Sequence, residues 1–145
     1  MCLTLGELNS AMKAYAARFD AALVPPAELA RVVEQAGQVE KMAFSVACLA
    51  AARIASGAGL PIGAKLSERR AAEVLAKSSG SSLKAAQEDI RAAVAMAGLP
   101  ELEAAAREGE LSRGQARIVA SAAEANPAAA GRLWRQPRPS RSQSC

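Results

Sequence analysis

The apolar side chains between Leu29 and Ala50 recur in alternating steps of three and four residues, and this spacing constrains the fold more than any other feature. It predicts one long helix from about Pro26 to Ile54, which at about 1.5 Å per residue spans roughly 40–45 Å. Two interpretations stay open: a core face packed within its own chain, or the contact surface of a homodimer. We favour the first, because globular helices outnumber coiled coils and the flanking positions show no clear charge pattern. This heptad seam consists of Leu29, Val32, Ala36, Val39, Ala43, Val46 and Ala50.

The composition narrows the fold class to all-α. Hydrophobic residues make up 51% of the 145 residues but aromatic residues only 3%, so alanine and aliphatic side chains must build the core. A chain of this length forms one domain, or one domain with a tail. It contains no apolar run of the roughly 18 residues that a membrane span requires, and it begins with no secretion signal. We therefore expect a cytoplasmic protein with no membrane partner.

The sequence contains no histidine, which removes most zinc sites and all histidine-dependent nucleophiles and general bases. Its three cysteines are far apart, and Cys48 falls among apolar helical positions, as expected of a small buried side chain. The glycines near Gly57 show no nucleotide-binding pattern. We predict a protein that is not an enzyme, with no metal, no cofactor and no small-molecule ligand.

Local signals divide the chain into three parts. Residues 1–56 are predicted to form a helical hairpin whose first helix begins at a capping box, Thr4 to Glu7. Its apolar stripe, at Leu8, Met12, Tyr15 and Phe19, calls for a packing partner. Residues 56–63 are predicted to be a loop, residues 66–134 a helix-turn-helix-like helical domain, and residues 135–145 a disordered basic tail.

The helix-turn-helix prediction is based on two helices and the turn between them. Helices are predicted over 67–77 and 82–97, with the turn at Ser78-Ser79-Gly80. Two helices that cross steeply need a small residue at the contact, here Ala76, and a glycine where the backbone turns. A fifth helix is expected to end at Gly109, and a sixth to begin at a capping box formed by Ser112 and Gln115.

Acidic and basic residues balance between Leu66 and Ile118 and also over residues 1–131 as a whole, so the formal net charge of +4 comes from the four arginines of the last fourteen residues, 132–145. A basic tail binds polyanions without sequence preference and says nothing about the folded domain. Because this tail is rich in arginine, proline and serine, we also consider that the chain is truncated or is a gene remnant.

In a DNA-binding protein the second helix of this motif would enter the major groove. Its candidate contacts are Ser82, Lys84, Gln87 and Arg91. The alternative is that these residues form a solvated face opposite an apolar face, and Glu88 and Asp89 on the same helix would repel phosphates. The apolar face would consist of Leu83, Ala86, Ile90 and Val94.

Two arginines of the sixth helix are further candidates. Arg113 and Arg117 lie four residues apart on one helix face and would be able to clamp phosphates. The alternative is that they pair with nearby acids, of which Glu110 is close in sequence. We interpret Glu88 and Asp89 themselves as surface charges, since adjacent helical positions point to different faces.

The segments Gly80–Ala86, Gly98-Leu99-Pro100 and Arg107–Ile118 carry a family resemblance. Together they resemble the 13E12 repeat family, an N-terminal helical domain of unknown function from high-GC bacteria. The resemblance covers roughly Leu29 to Trp134, and its most specific part is Gly-Glu-Leu-Ser-x-x-Gln-Ala-Arg. A weaker likeness is to the central helix-turn-helix domain of ParB-type partition proteins, which is a likeness of fold.

Many members of the 13E12 family carry a C-terminal HNH endonuclease domain, which needs histidine as base and metal ligand. The resemblance therefore implies a non-catalytic DNA-binding or targeting domain, truncated before the nuclease portion, with duplex DNA as its partner. The alternatives are a helical protein–protein or dimerisation module that uses the heptad seam, or a gene remnant without function.

Overall fold

The computed structural model describes residues 2–57 and 64–128, and every regular element in these ranges is helical. The all-α prediction is therefore confirmed. The predicted tail at 135–145 and most of the predicted loop at 56–63 lie outside the described residues. The helices are α1 (Leu5–Arg18), α2 (Leu29–Ala55), α3 (Ala64–Ser79), α4 (Leu83–Met96), α5 (Pro100–Arg107) and α6 (Arg113–Ala125), with short 3-10 turns at Ala21–Leu23 and Pro26–Glu28.

Both predicted capping boxes are present. At the start of α1 the Glu7 backbone N–H donates to Thr4 Oγ1 at 3.2 Å, and the Thr4 N–H donates to Glu7 Oε2 at 2.7 Å. At the start of α6 the Gln115 N–H donates to Ser112 Oγ at 3.2 Å, and the Ser112 N–H donates to Gln115 Oε1 at 2.9 Å. Each box satisfies backbone donors that have no partner inside the helix, so the sequence alone fixes these two helix starts.

The chain divides into two compact units, Met1–Ala36 and Gly37–Cys145. In the first unit α1 contains no buried residue. The apolar stripe that predicted a packing partner is exposed along its whole length, at Leu8, Met12, Tyr15 and Phe19. The rings of Tyr15 and Phe19, the residue that caps the end of α1, lie 5.9 Å apart between centroids and are tilted by 31°.

Helix α2 begins at Leu29, three residues later than predicted, because Pro26–Glu28 forms a 3-10 turn that leads into it. Its buried residues are Cys48 and Ala51, with Phe44 partly buried beside them. No residue of the heptad seam is buried. The favoured interpretation of the seam as the core face was therefore wrong: at about 100° per residue, the core face lies roughly a third of a turn away from it.

The helix-turn-helix outline corresponds to α3, a turn at Gly80, and α4. Gly80 has φ +67°, and the Ser81 N–H donates to the Ala76 carbonyl at 3.1 Å, which closes α3 with a Schellman motif. Helix α4 then begins at Leu83 and is capped by Ser82, whose hydroxyl accepts the Ala85 N–H at 3.1 Å. The residues that allow the close helix crossing are three fully buried alanines, Ala71, Ala72 and Ala86, with Ala76 only partly buried beside them.

Helix α4 lies between two core clusters of the second unit, and α3 and α6 are its main neighbours. One cluster joins α4 to α2 and α3 around Leu75 and Ile90. The other joins the end of α4 to α5 and α6 around Met96, Leu102 and Leu111. Because α4 packs in both clusters, its position depends on every other helix of this unit.

Gly109 closes α5 where that helix passes against α2. It has φ +73°, and a Cβ built on it would lie 2.8 Å from the Gln38 carbonyl oxygen. The Gln38 side chain in turn donates from Nε2 to the Glu108 carbonyl at 3.1 Å, which satisfies an acceptor at the end of α5. Gly109 is thus required both by its backbone conformation and by the close approach of α2.

We expect Gly109→Ala to lower the free energy of unfolding by at least about 2 kcal/mol, from the left-handed backbone and the contact with Gln38. The measurement is urea unfolding followed by circular dichroism. Gly114→Ala is the matched control, because nothing lies within 4 Å of a Cβ there and φ is not positive. Alanine at this helical position should raise stability by up to about 1 kcal/mol. Equal effects of the two substitutions would show that neither the left-handed backbone nor the close approach to α2 matters at Gly109.

Candidate nucleic-acid interface

Helix α4 presents one polar face and buries the other. Lys84, Gln87 and Arg91 are exposed, and their spacing of three and four residues places them on the same side. Ser82 is also exposed, but its hydroxyl caps the helix. The structure therefore brings together three of the four candidate contacts on α4 as a continuous stripe, which we call the α4 polar face.

The buried side of α4 differs from the predicted apolar face. Ala86 and Ile90 are buried as expected, but Leu83 and Val94 are 40% and 58% exposed. The difference arises because α4 packs against neighbours on more than one side, so its buried arc is displaced from the arc that the apolar residues alone define. The buried residues of α4 are Ala86, Asp89, Ile90, Ala92, Ala93 and Met96.

Asp89 is the main departure from the sequence interpretation. It is 3% exposed, so the interpretation of this carboxylate as a surface charge was wrong. Its Oδ2 accepts hydrogen bonds from Nε of Arg113 at 2.7 Å and from Nη2 of the same side chain. Its Oδ1 accepts from Nε of Arg117 at 2.8 Å. A buried carboxylate needs such partners, because an uncompensated charge in a low dielectric is strongly unfavourable.

Arg117 makes two further contacts with α4. Its Nη1 lies 3.1 Å from Oε2 of Glu88, and its Nη2 donates to the Ala85 carbonyl at 3.1 Å. The hydrogen bond to Asp89 is the largest of the effects that raise the pKa of Arg117 above its ordinary value. Sequence proximity suggested Glu110 as the partner of the α6 arginines, but the carboxylate that binds both of them is Asp89, which lies far back in the chain.

The guanidinium of Arg113 also lies over the ring of Phe44 on α2, 4.5 Å from the ring centroid. This cation–π contact joins α2 to the same charged group that links α4 and α6. We call Asp89, Arg113 and Arg117 the Asp89 cluster. It occupies the guanidinium groups of both α6 candidates within the protein.

The Asp89 cluster changes the electrostatic character of α4. Both acids of this helix, Glu88 and Asp89, are paired with arginines of α6. In the described part of the chain Lys84 and Arg91 have no ion-pair partner within 4 Å. The α4 polar face therefore carries two positive charges without an ion-pair partner in the described residues, and the two acids that the sequence analysis expected to repel phosphates are both paired.

A sequence signal for this arrangement existed. Ala86, Ile90 and Ala93 define the buried face of α4 by their spacing, and Asp89 falls within that face. A carboxylate among apolar positions needs a cation, and Arg113 and Arg117 are spaced to reach a common acceptor. The spacing of α4 alone, however, does not indicate which distant arginine supplies the charge.

Gln87 and Arg91 also border an open groove of about 490 Å³ between α4, the start of α3 and the end of α2. Ile90 and Val94 contribute its apolar lining, and Glu68 contributes a carboxylate. The groove lies beside the α4 polar face, so a ligand on that face would contact its edge.

Cys48 is buried, as predicted, and it lies beside the Asp89 cluster. Burial raises the pKa of its thiol to about 12, and the nearby Asp89 carboxylate adds to the shift. Cys48, Asp89 and Arg113 line a cavity of about 40 Å³. That volume accommodates water but is far below the roughly 300 Å³ of a small-molecule site.

Two further searches concern the described residues alone. None of the helices in residues 2–57 and 64–128 is long and apolar enough to cross a membrane. In the same ranges no group of three or more cysteine, aspartate or glutamate side chains is placed to hold a metal ion.

Comparisons with protein-family models, with curated proteins and with solved structures found no match to this chain. The resemblance to the 13E12 repeat family therefore stays a prediction from the sequence.

We expect Asp89→Asn to lower the free energy of unfolding by about 3 kcal/mol. This value is the lower end of the range of losses for removing one partner of a buried ion pair. The lower end applies because Arg113 and Arg117 keep about a third of their side-chain surface exposed. Urea unfolding gives the value. The matched control is Glu88→Gln, which removes a half-exposed pair and should cost less than about 1 kcal/mol. Similar losses at the two positions would contradict a special role for Asp89.

The raised pKa of Cys48 predicts slow reaction with thiol reagents in the folded protein at pH 8, because only the thiolate reacts. A variant with Cys2→Ser and Cys145→Ser isolates this thiol. Labelling with iodoacetamide should become rapid when urea unfolds the chain. A second variant with Cys48→Ala and Cys145→Ser leaves the exposed Cys2, which should react quickly without urea.

The same shift predicts a pH dependence of stability. A thiol whose pKa is raised by folding contributes its full stabilisation below its ordinary value of 9.0 and loses it as the pH rises towards about 12. The difference in urea midpoint between the Cys48 chain and its Cys48→Ala counterpart should therefore shrink above pH 9. A constant difference between pH 8 and pH 11 would contradict the shift.

Proposed function

We propose that this chain is a non-catalytic DNA-binding module that places the α4 polar face against duplex DNA. The observation that carries the proposal is the charge on α4: Lys84 and Arg91 are exposed and uncompensated, while both acids of the helix are paired with arginines of α6. A surface of this kind attracts phosphates, since nucleic-acid affinity depends largely on neutralising the backbone.

The local geometry of α3 and α4 supports the same proposal. A glycine turn closes α3, and Ser82 caps the start of α4. This is the order of elements in a helix-turn-helix, in which the second helix reads the major groove. In this arrangement Lys84 binds a phosphate, while Arg91 and Gln87 are long enough to reach the edges of guanine and adenine.

The remaining candidates have other roles in this proposal. Arg113 and Arg117 do not contact DNA, because both guanidinium groups are hydrogen-bonded to Asp89. They support binding by holding α4 in place and by removing the negative charge of its acids. Ser82 supports it by capping α4, since its hydroxyl oxygen accepts the Ala85 N–H.

The proposal is consistent with the sequence resemblance. In the 13E12 repeat family a helical domain precedes an HNH nuclease portion, and a DNA-binding module would target such a nuclease. The chain contains no histidine, so the proposed role is targeting without catalysis. The rival function, a helical interaction module, uses the heptad seam of α2 rather than α4.

We expect Arg91→Ala to weaken duplex binding by about 1–3 kcal/mol. We expect Lys84→Ala to weaken binding similarly for every duplex sequence and to reduce the slope of log K against log salt by about 1. Fluorescence anisotropy with a labelled duplex over a salt series measures both quantities. Lys13→Ala on α1 is the control, since it removes the same charge from an exposed position far from α4 in sequence and should leave binding unchanged.

A chain that ends at Trp134 separates the α4 polar face from the basic C-terminal residues. If the shortened chain binds duplex DNA and loses affinity with Arg91→Ala, the proposal stands. If binding disappears with residues 135–145, or if Lys13→Ala matches Lys84→Ala, α4 is not the contact surface.

A further inference from the structure

The open groove between α2, α3 and α4 has an apolar lining and a volume of about 490 Å³. Ala52 and Ala55, near the end of α2, line it from one side, and both are partly buried against the core. Ile90 and Val94, one turn apart on α4, line it from another side. The two alanines contribute only methyl groups, which leaves space beside helices that are otherwise closely packed. The volume lies within the range of about 300–1,000 Å³ that is typical of small-ligand sites.

Two opposite charges also line the groove. Glu68, near the start of α3, contributes a carboxylate and Arg91 of α4 contributes a guanidinium, and both residues are exposed. In residues 2–57 and 64–128 neither has an ion-pair partner within 4 Å, so they do not pair with each other. Gln87 lies four residues before Arg91, and its side-chain amide can donate to the same acceptor. The groove therefore combines an apolar surface with an anion and a cation that both lack a partner there.

This combination of groups fits a ligand that has apolar side chains and one charge of each sign. An ammonium group would pair with Glu68, and a carboxylate would pair with Arg91, whose planar guanidinium can donate two parallel hydrogen bonds. A ligand with charges of one sign would bring a like charge close to one of the two residues. Because the charged atoms of Glu68 and Arg91 are more than 4 Å apart, the ligand charges must be separated too. The two ends of an extended dipeptide are separated by about 7 Å.

We propose that the groove binds short apolar peptides with free ends. The amino end lies at Glu68, the carboxylate lies at Arg91 and Gln87, and the apolar side chains pack against the alanines of α2 and the aliphatic side chains of α4. Apolar contacts supply most of the affinity, because exposed ion pairs contribute little, while the two charges select the ligand. At the efficiency of ordinary small ligands, a dipeptide of about 17 non-hydrogen atoms binds with a dissociation constant of about 0.1–1 mM.

Titration of the isotope-labelled full chain with the dipeptide Leu-Leu, followed by NMR, tests this proposal. Amide resonances of the residues that line the groove should shift and saturate with a dissociation constant of about 0.1–1 mM. N-acetyl-Leu-Leu lacks the ammonium group, and Leu-Leu amide lacks the carboxylate. Each should bind about two- to fivefold more weakly than Leu-Leu, which is the effect of losing one exposed ion pair.

Two variants assign the ends of the peptide. Glu68→Gln should weaken Leu-Leu binding by the same factor and remove the difference between Leu-Leu and its N-acetyl form. Arg91→Gln should likewise remove the difference between Leu-Leu and its amide. Lys77→Gln is the matched control, since it removes an exposed charge from a position of α3 that does not line the groove, and it should leave all three dissociation constants unchanged.

Ala55→Leu places a larger side chain in the groove and should weaken all three peptides about tenfold or more. The proposal is overturned if Leu-Leu gives no saturable shifts up to about 10 mM, or if either capped form binds as tightly as Leu-Leu. It is also overturned if Ala55→Leu, with unchanged circular dichroism, leaves the affinity as it was. The titrations contain no DNA, so a negative result leaves the DNA-binding proposal untouched.

Discussion

Asp89 is a carboxylate on the buried side of α4, and two other helices, α6 and α2, contribute to the contacts that compensate its charge. Arg113 and Arg117 approach it from α6, and the Arg113 guanidinium also lies against Phe44 on α2. Removing a carboxylate from water is unfavourable by several kcal/mol unless hydrogen bonds and opposite charges replace its hydration. A different packing of α6 would move the two arginines away and leave the Asp89 carboxylate without an opposite charge. The position of α6 relative to α4 is therefore tightly specified.

The fixed position of α4 against α6 matters because the alanine-rich core does not by itself select one packing arrangement. In the described ranges, ten of the sixteen buried hydrophobic residues are alanines. A buried methyl group contributes about 0.8 kcal/mol, against about 1.5–3 kcal/mol for a leucine or isoleucine side chain, and a row of methyl groups fits its neighbours in several registers. Directional contacts must therefore select one register. The Asp89 cluster does so between α4 and α6, and the close approach of Gly109 to the Gln38 carbonyl does so between α5 and α2.

The features that sequence predicts well here are those that depend on a few adjacent residues. The capping boxes at Thr4 and Ser112 and the turn at Gly80 are short-range hydrogen-bond patterns, and each is found at the predicted position. The environment of Asp89 was not predicted, because its partners lie 24 and 28 residues further along the chain. The seam of α2 was assigned to the core because periodicity identifies apolar faces without indicating which of two faces packs inside the chain.

The environment of Asp89 and the exposure of the α2 seam were both missed for one reason: a sequence pattern does not show which distant residues pack against a helix face. In α4 a charged residue replaces an apolar one on the buried face, and its partners leave the opposite face with uncompensated positive charge. In α2 the apolar residues exceed what the core covers, so a hydrophobic face remains on the outside. A charged face and an apolar face differ in the contacts that stabilise them: a charged face attracts opposite charge at long range, whereas an apolar face is stabilised only by close packing.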